Sequence, residues 1–222
     1  MAAQTRRHGR YGLLLIAAIL SLIVQGIIAP SAVQQVLVTA LGGATLLLAL
    51  RAAQPAPYWI KVASGIALAA LAVSVLKATA GGIGDGAAGS MNAALVALGP
   101  PAIVVGLVRD LRETGVVRVQ ALFGVLSLYM LIGMMFGFVY GAIDSFGGDP
   151  FFAAGQSATV SNCLYFSFIT LSTVGYGDFV ARTDLGHTLA VFEALIGQIY
   201  LVTVVSLIVT NLRRPSRDGA PA

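Results

Sequence analysis

Long apolar runs, separated by short segments that hold nearly all the charge, divide this chain into six stretches. They lie at about 12 to 29, 33 to 50, 60 to 79, 91 to 108, 119 to 141 and 188 to 211. A helix needs about 20 such residues to cross the hydrocarbon of a bilayer, so the pattern predicts an all-α integral membrane protein with six spans. A further apolar run, between Ser157 and Ser172, is too short to span. It opens with Thr159, Ser161 and Asn162, side chains that suit a helix N-cap, and continues through Leu164, Tyr165, Phe166, Phe168, Ile169 and Leu171,. That run suits a half-helix that ends midway through the membrane, where its terminal carbonyls favour a cation.

Composition agrees. Of 222 residues 58% are hydrophobic and only 10% charged, with a mean hydropathy of +0.90, values that a water-soluble domain cannot reconcile with a wet surface. Short loops rich in Lys and Arg stay on the cytoplasmic side. With the N-terminus inside, Arg6, Arg7, Arg10, Arg51, Lys61, Arg109, Arg112, Arg118, Arg213, Arg214 and Arg217 are cytoplasmic and only Lys77 and Arg182 are outside. Asp85, Asp144, Asp149, Asp178 and Asp184 then fall on the outer side. Both termini are expected in the cytoplasm, and Ala- and Gly-rich composition with short tails fits a bacterial inner membrane. The net charge of +4 is scattered over membrane-edge segments and forms no continuous basic patch, so no nucleic-acid partner is expected,. Arg213, Arg214 and Arg217 instead suit anionic lipid head groups. Cys163 is the only cysteine; it offers neither a disulfide nor a thiol cluster for a metal.

The chain divides near residue 115. Residues 1–115 read as four plain helices, the first of them uncleaved despite its basic approach. Pro100 and Pro101 inside the fourth should kink or break it, and Gly81–Gly86 reads as an outer loop. Residues 116–222 read as span, re-entrant loop, span and a short basic tail. Gly133, Gly137 and Gly141 fall four apart on one face of the fifth span, a stripe that lets another backbone approach closely.

The most informative stretch is Thr173-Val174-Gly175-Tyr176-Gly177-Asp178. Carbonyls that all point to one axis need backbone angles alternating between left- and right-handed regions, and glycine adopts positive φ without steric cost. The Thr-Val-Gly-Tyr-Gly pattern resembles that of potassium filters. With its flanking segments it makes residues 119 to 211, about two-fifths of the chain, resemble the pore module of the tetrameric potassium channels. The resemblance implies that the carbonyls of Thr173, Val174, Gly175 and Tyr176, with the Thr173 hydroxyl, bind dehydrated potassium in a row. It implies further that Tyr176 braces the filter, that Asp178 sits at the outer mouth and accepts a hydrogen bond from Tyr165, and that Gly197 is a gating hinge. Some relatives pair that aspartate with a glutamate of the pore helix; Ile169 stands here. One loop per chain implies three identical partners around a shared axis.

Glu193 is the one acid inside a span, and a buried carboxyl normally faces a partner, water or an ion path. It is expected to lock the inner helix to the pore helix as filter support, or to serve as a gating or proton-sensing group. Residues 91 to 108 carry no Lys or Arg, so strong voltage sensing is not expected, since each charge crossing the field contributes about 2.3 kcal/mol per 100 mV. About eleven residues follow the last span, and no regulatory domain is expected there. The expected function is passive potassium conduction, with no enzymatic constellation and no organic cofactor. The alternatives are a subunit of a potassium uptake transporter and a non-conducting membrane interaction protein.

Overall fold

A computed structural model describes residues 10–28, 31–53, 57–80 and 119–212. The expected fourth span with Pro100 and Pro101, the Gly81–Gly86 loop, and Arg213, Arg214 and Arg217 lie outside the described residues. Within them the fold is helical: α1 Arg10–Ile27, α2 Ala32–Ala53, α3 Pro57–Ala80, α4 Val119–Gly147, α5 Val160–Leu171 and α6 Asp184–Leu212. Three of these are long and apolar enough to cross a membrane, over Val33–Arg51, Leu122–Gly147 and Asp184–Val204. The apolar stretches Tyr11–Ile27 and Ile60–Leu76 are shorter.

Local chemistry sets the ends. Pro57 opens α3, where a fixed φ suits the first turn and the missing N–H would have had no intrahelical acceptor,. Thr159 caps α5: its hydroxyl oxygen accepts the Asn162 backbone N–H at 3.2 Å, and Asn162 Nδ2 donates to the Ser157 carbonyl at 2.8 Å. With twelve residues, α5 is about 18 Å long, well short of the roughly 30 Å of hydrocarbon that a span must cover.

Packing is sequential in the first part. Helix α2 lies between α1 and α3; the Thr39 and Ser74 hydroxyls meet at 2.8 Å, and a methyl on Gly43 would stand 3.1 Å from the Ala67 side chain. Helix α1 then leans on α4, where the Tyr11 ring fills the space over Gly124. One core joins both parts: Leu14 of α1, Val38 and Ala49 of α2, Leu128, Leu131, Met134 and Phe138 of α4, and Leu164 of α5.

A second core is an aromatic knot. Tyr140, Phe151, Phe152 and Phe166 are buried, with ring centroids 4.9 Å apart for Tyr140 and Phe151 and 5.1 Å for Tyr140 and Phe166. Each such pair contributes about 0.5–1.5 kcal/mol beyond its buried area. The knot fastens the end of α4 to α5 and to the start of α6, where Gly186 leaves room for Ala181 and Phe151.

The glycine stripe of α4 faces α5. A methyl on Gly133 would stand 2.7 Å from the Phe168 ring, and one on Gly137 would stand 2.7 Å from the Leu164 side chain and 3.1 Å from its Cα. At Gly141 the nearest neighbour is Cys163 Sγ at 3.9 Å, an ordinary contact. The close approach is thus confined to the first two positions.

Candidate functional site

The segment after α5 is suspended from that helix's last carbonyls, which have no intrahelical donor of their own. The Ser172 N–H donates to Phe168 O, the Thr173 N–H to Thr170 O, and the Val174 and Gly175 N–H groups both donate to Ile169 O, at 2.9 and 3.1 Å. From this anchor the backbone alternates. φ is +58° at Thr173, +51° at Gly175 and +80° at Gly177, and is positive at neither Val174 nor Tyr176. A β-branched residue rarely adopts positive φ, so the bonds to Thr170 and Ile169 hold Thr173 against its own preference.

The outer end of the segment is tied sideways. The Tyr165 hydroxyl donates to Asp178 Oδ2 at 2.8 Å, and Gln156 Nε2 donates to the Asp178 carbonyl at 2.8 Å. Phe152 and Ala181 form a short antiparallel bridge, in which Ala153 N–H donates to Val180 O and Arg182 N–H to Phe151 O. Asp144 accepts the Phe151 N–H at 2.8 Å. Thus the loop before α5 and the loop after it are joined, and the segment between is held at both ends. Val174 and Tyr176 remain 52% and 73% exposed.

Glu193 is fully buried on α6, where it meets both other helices of this part. Tyr140 of α4 donates to Oε2 at 2.6 Å, and Ser167 of α5 hydrogen-bonds to Oε1. The Ser167 Oγ also lies 2.6 Å from the Gly133 carbonyl. Tyr140 and Ser167 escaped the reading of the sequence because they stand 53 and 26 residues from Glu193. A usable signal did exist: a buried acid requires donors, and Ser167 belongs to the hydroxyl-dotted run before Thr173.

Gly197 lies in an unbroken stretch of α6, and a side chain there would collide with the Leu171 carbonyl at the end of α5. Three residues on, the Tyr200 hydroxyl donates to the Val125 carbonyl of α4, and its ring packs on Tyr129 with centroids 5.4 Å apart. The sequence had offered nothing to single out Tyr200. Among the described residues no group of three or more His, Cys, Asp or Glu side chains is placed to hold a metal.

A short capped helix and a tethered loop with alternating φ thus lie between two long apolar helices, α4 and α6. Residues 124–214 match the family described as "Ion channel". The chain is 45% identical over 51 residues to the calcium-activated potassium channel slowpoke of Drosophila melanogaster, covering 22% of this chain and 4% of that relative. It is 31% identical over 90 residues to the inward rectifier potassium channel Kirbac3.1 of Paramagnetospirillum magnetotacticum, covering 40% of this chain and 29% of that relative. The matched part is therefore less than a third of either relative's length. No solved structure matches the chain.

Proposed function

We propose that the protein is a potassium-selective channel in which four identical chains surround one axis and carry potassium passively through a filter of backbone carbonyls. The observation that carries this reading is the sign of φ, positive at Thr173, Gly175 and Gly177 and at no residue between. Alternation of that kind turns successive carbonyls to one side, which a row of dehydrated potassium sites at Thr173, Val174, Gly175 and Tyr176 requires. In this reading α5 is the pore helix, α4 and α6 are the outer and inner helices of a six-span subunit, and residues 1–115 form a four-helix region ahead of the pore part. Asp178 lies at the outer mouth and concentrates cations there.

Assembly has its own support. The window Asp184–Val204 is only 11% buried by its own chain, against 61% for Leu122–Gly147. Val191, Phe192, Leu195, Ile199 and Val202 lie exposed along α6, as suits an inner helix that neighbouring subunits cover. The absence of Lys and Arg from residues 91 to 108 favours a channel without strong voltage sensing,. Basic residues Arg213, Arg214 and Arg217 would contact anionic lipid at the cytoplasmic face.

The test is the reversal potential of purified protein in planar bilayers with potassium on one side and sodium on the other. A potential close to the potassium equilibrium value, with currents too large for a transporter cycle, is expected. A reversal near zero removes potassium selectivity, and slow or absent flux favours the transporter or the non-conducting protein.

A further inference from the structure

The Ser167 hydroxyl stands between two oxygen acceptors and has one proton to give. Its Oγ lies 2.6 Å from the Gly133 carbonyl of α4 and also hydrogen-bonds to Glu193 Oε1 of α6. A carbonyl has no proton to offer, and an ionised carboxylate has none either. With Glu193 ionised, one of these two close oxygen pairs would meet lone pair to lone pair, and Ser167 and Glu193 are both 0% exposed,. The two partners of the carboxyl, Tyr140 and Ser167, are hydroxyls, and neither neutralises a charge.

We propose that Glu193 is a neutral carboxylic acid whose O–H donates to Ser167 Oγ, while the Ser167 O–H donates to the Gly133 carbonyl. The remaining carboxyl oxygen, Oε2, is then the C=O and accepts the Tyr140 O–H at 2.6 Å. Every close oxygen pair now holds one proton, and every proton has one acceptor. The second lone pair of the Gly133 carbonyl is reachable because Gly133 and Gly137 let α5 come close.

This chain of bonds joins α4, α5 and α6 two residues before Ile169, whose carbonyl anchors Val174 and Gly175. Tyr140, Ser167 and Glu193 are therefore positioning residues that act on the filter through α5, and the brace adds no charge beside the ion path. The inference rests on the reading of α5 and residues 173–178 as pore helix and filter.

Infrared spectra of the assembled protein in lipid vesicles, wild type minus E193Q at neutral pH, read the carbonyl stretch of a protonated carboxyl group. That band is expected in the wild type, lost in E193Q, and displaced in S167A and Y140F, each of which removes one bond to the acid. Potassium flux in the same vesicles supplies the second readout. E193Q, whose amide N–H donates to Ser167 as the acid does, keeps flux within about twofold; E193D, one methylene shorter, loses about tenfold because it cannot reach both partners. A carboxylate band in place of the acid band overturns the proposal, as does flux that survives in E193D and vanishes in E193Q. An acid band in a wild type that passes no potassium upholds the brace and rejects the channel reading instead.

Discussion

The Leu171 carbonyl, at the end of the short helix, occupies the space that a side chain at Gly197 would need. Gly197 was expected as a hinge; what the contact gives its missing Cβ is a packing use, the close seating of α6 on α5. The two roles separate in G197A. Backbone on both sides cannot rotate away as a side-chain tip would, so the helices must part, at a cost of about 1–3 kcal/mol per subunit. The expected result is a lower thermal midpoint of the assembled protein, followed by tryptophan fluorescence or by size-exclusion chromatography after heating. An unaltered midpoint with altered open probability would leave the hinge as its only role.

Tyr165 and Asp178 are both exposed, and their bond at 2.8 Å competes with water. Y165F should therefore cost little stability, while D178N removes a negative charge from what the proposed function makes the outer mouth. Surface charges act over a screening length of about 30 Å at 0.01 M salt and about 3 Å at 1 M. D178N is expected to lower single-channel potassium conductance severalfold in dilute potassium and hardly at all in concentrated potassium. A reduction independent of salt would mean that Asp178 shapes the filter and does not concentrate ions.

The stripe on α4 yields a graded prediction. Alanine at Gly133 or Gly137 meets Phe168 or Leu164 at 2.7 Å, closer than real Cβ atoms come, whereas alanine at Gly141 meets only Cys163 Sγ at 3.9 Å. At Gly137 the Leu164 backbone is also near, so that position has less room to relax. G137A should destabilise most, by about 1–3 kcal/mol, G133A less, because a ring can turn, and G141A little or not at all. Thermal unfolding of the three variants in one detergent checks the order. Equal midpoints would mean that α5 can move away freely.

What could be read from the sequence was whatever is local or periodic. The apolar runs anticipated α1, α2, α3, α4 and α6 to within a few residues at most ends, and the Ser/Thr/Asn cluster foretold the start of α5. The run to about 141 did not anticipate the last turns of α4, because Asp144 and Ser145 are polar: Asp144 holds the Phe151 N–H and Ser145 bonds back to Gly141. Long-range pairings were out of reach for a different reason. Tyr140 and Ser167 converge on Glu193 only when three helices meet, and a lone sequence records no such distance. Tyr200 reads as one more apolar residue of α6 until Val125 is placed beside it.

The sign of φ also sorts the positions of the proposed filter. Gly175 and Gly177 have φ of +51° and +80°, where an L-residue costs about 1–2 kcal/mol more than glycine. In the proposed tetramer the substitution enters four times, so G177A would burden the proposed ring of carbonyls by about 4 kcal/mol even at the low end, about a thousandfold in the population of the intact filter. Val174 has no positive φ, and V174I changes only a side chain. Reversal potentials under a potassium–sodium gradient should therefore collapse toward zero, or current vanish, in G175A and G177A, while V174I keeps its preference for potassium. Should G177A discriminate between the two ions as well as the wild type, the carbonyls of this loop are not what strips potassium of its water.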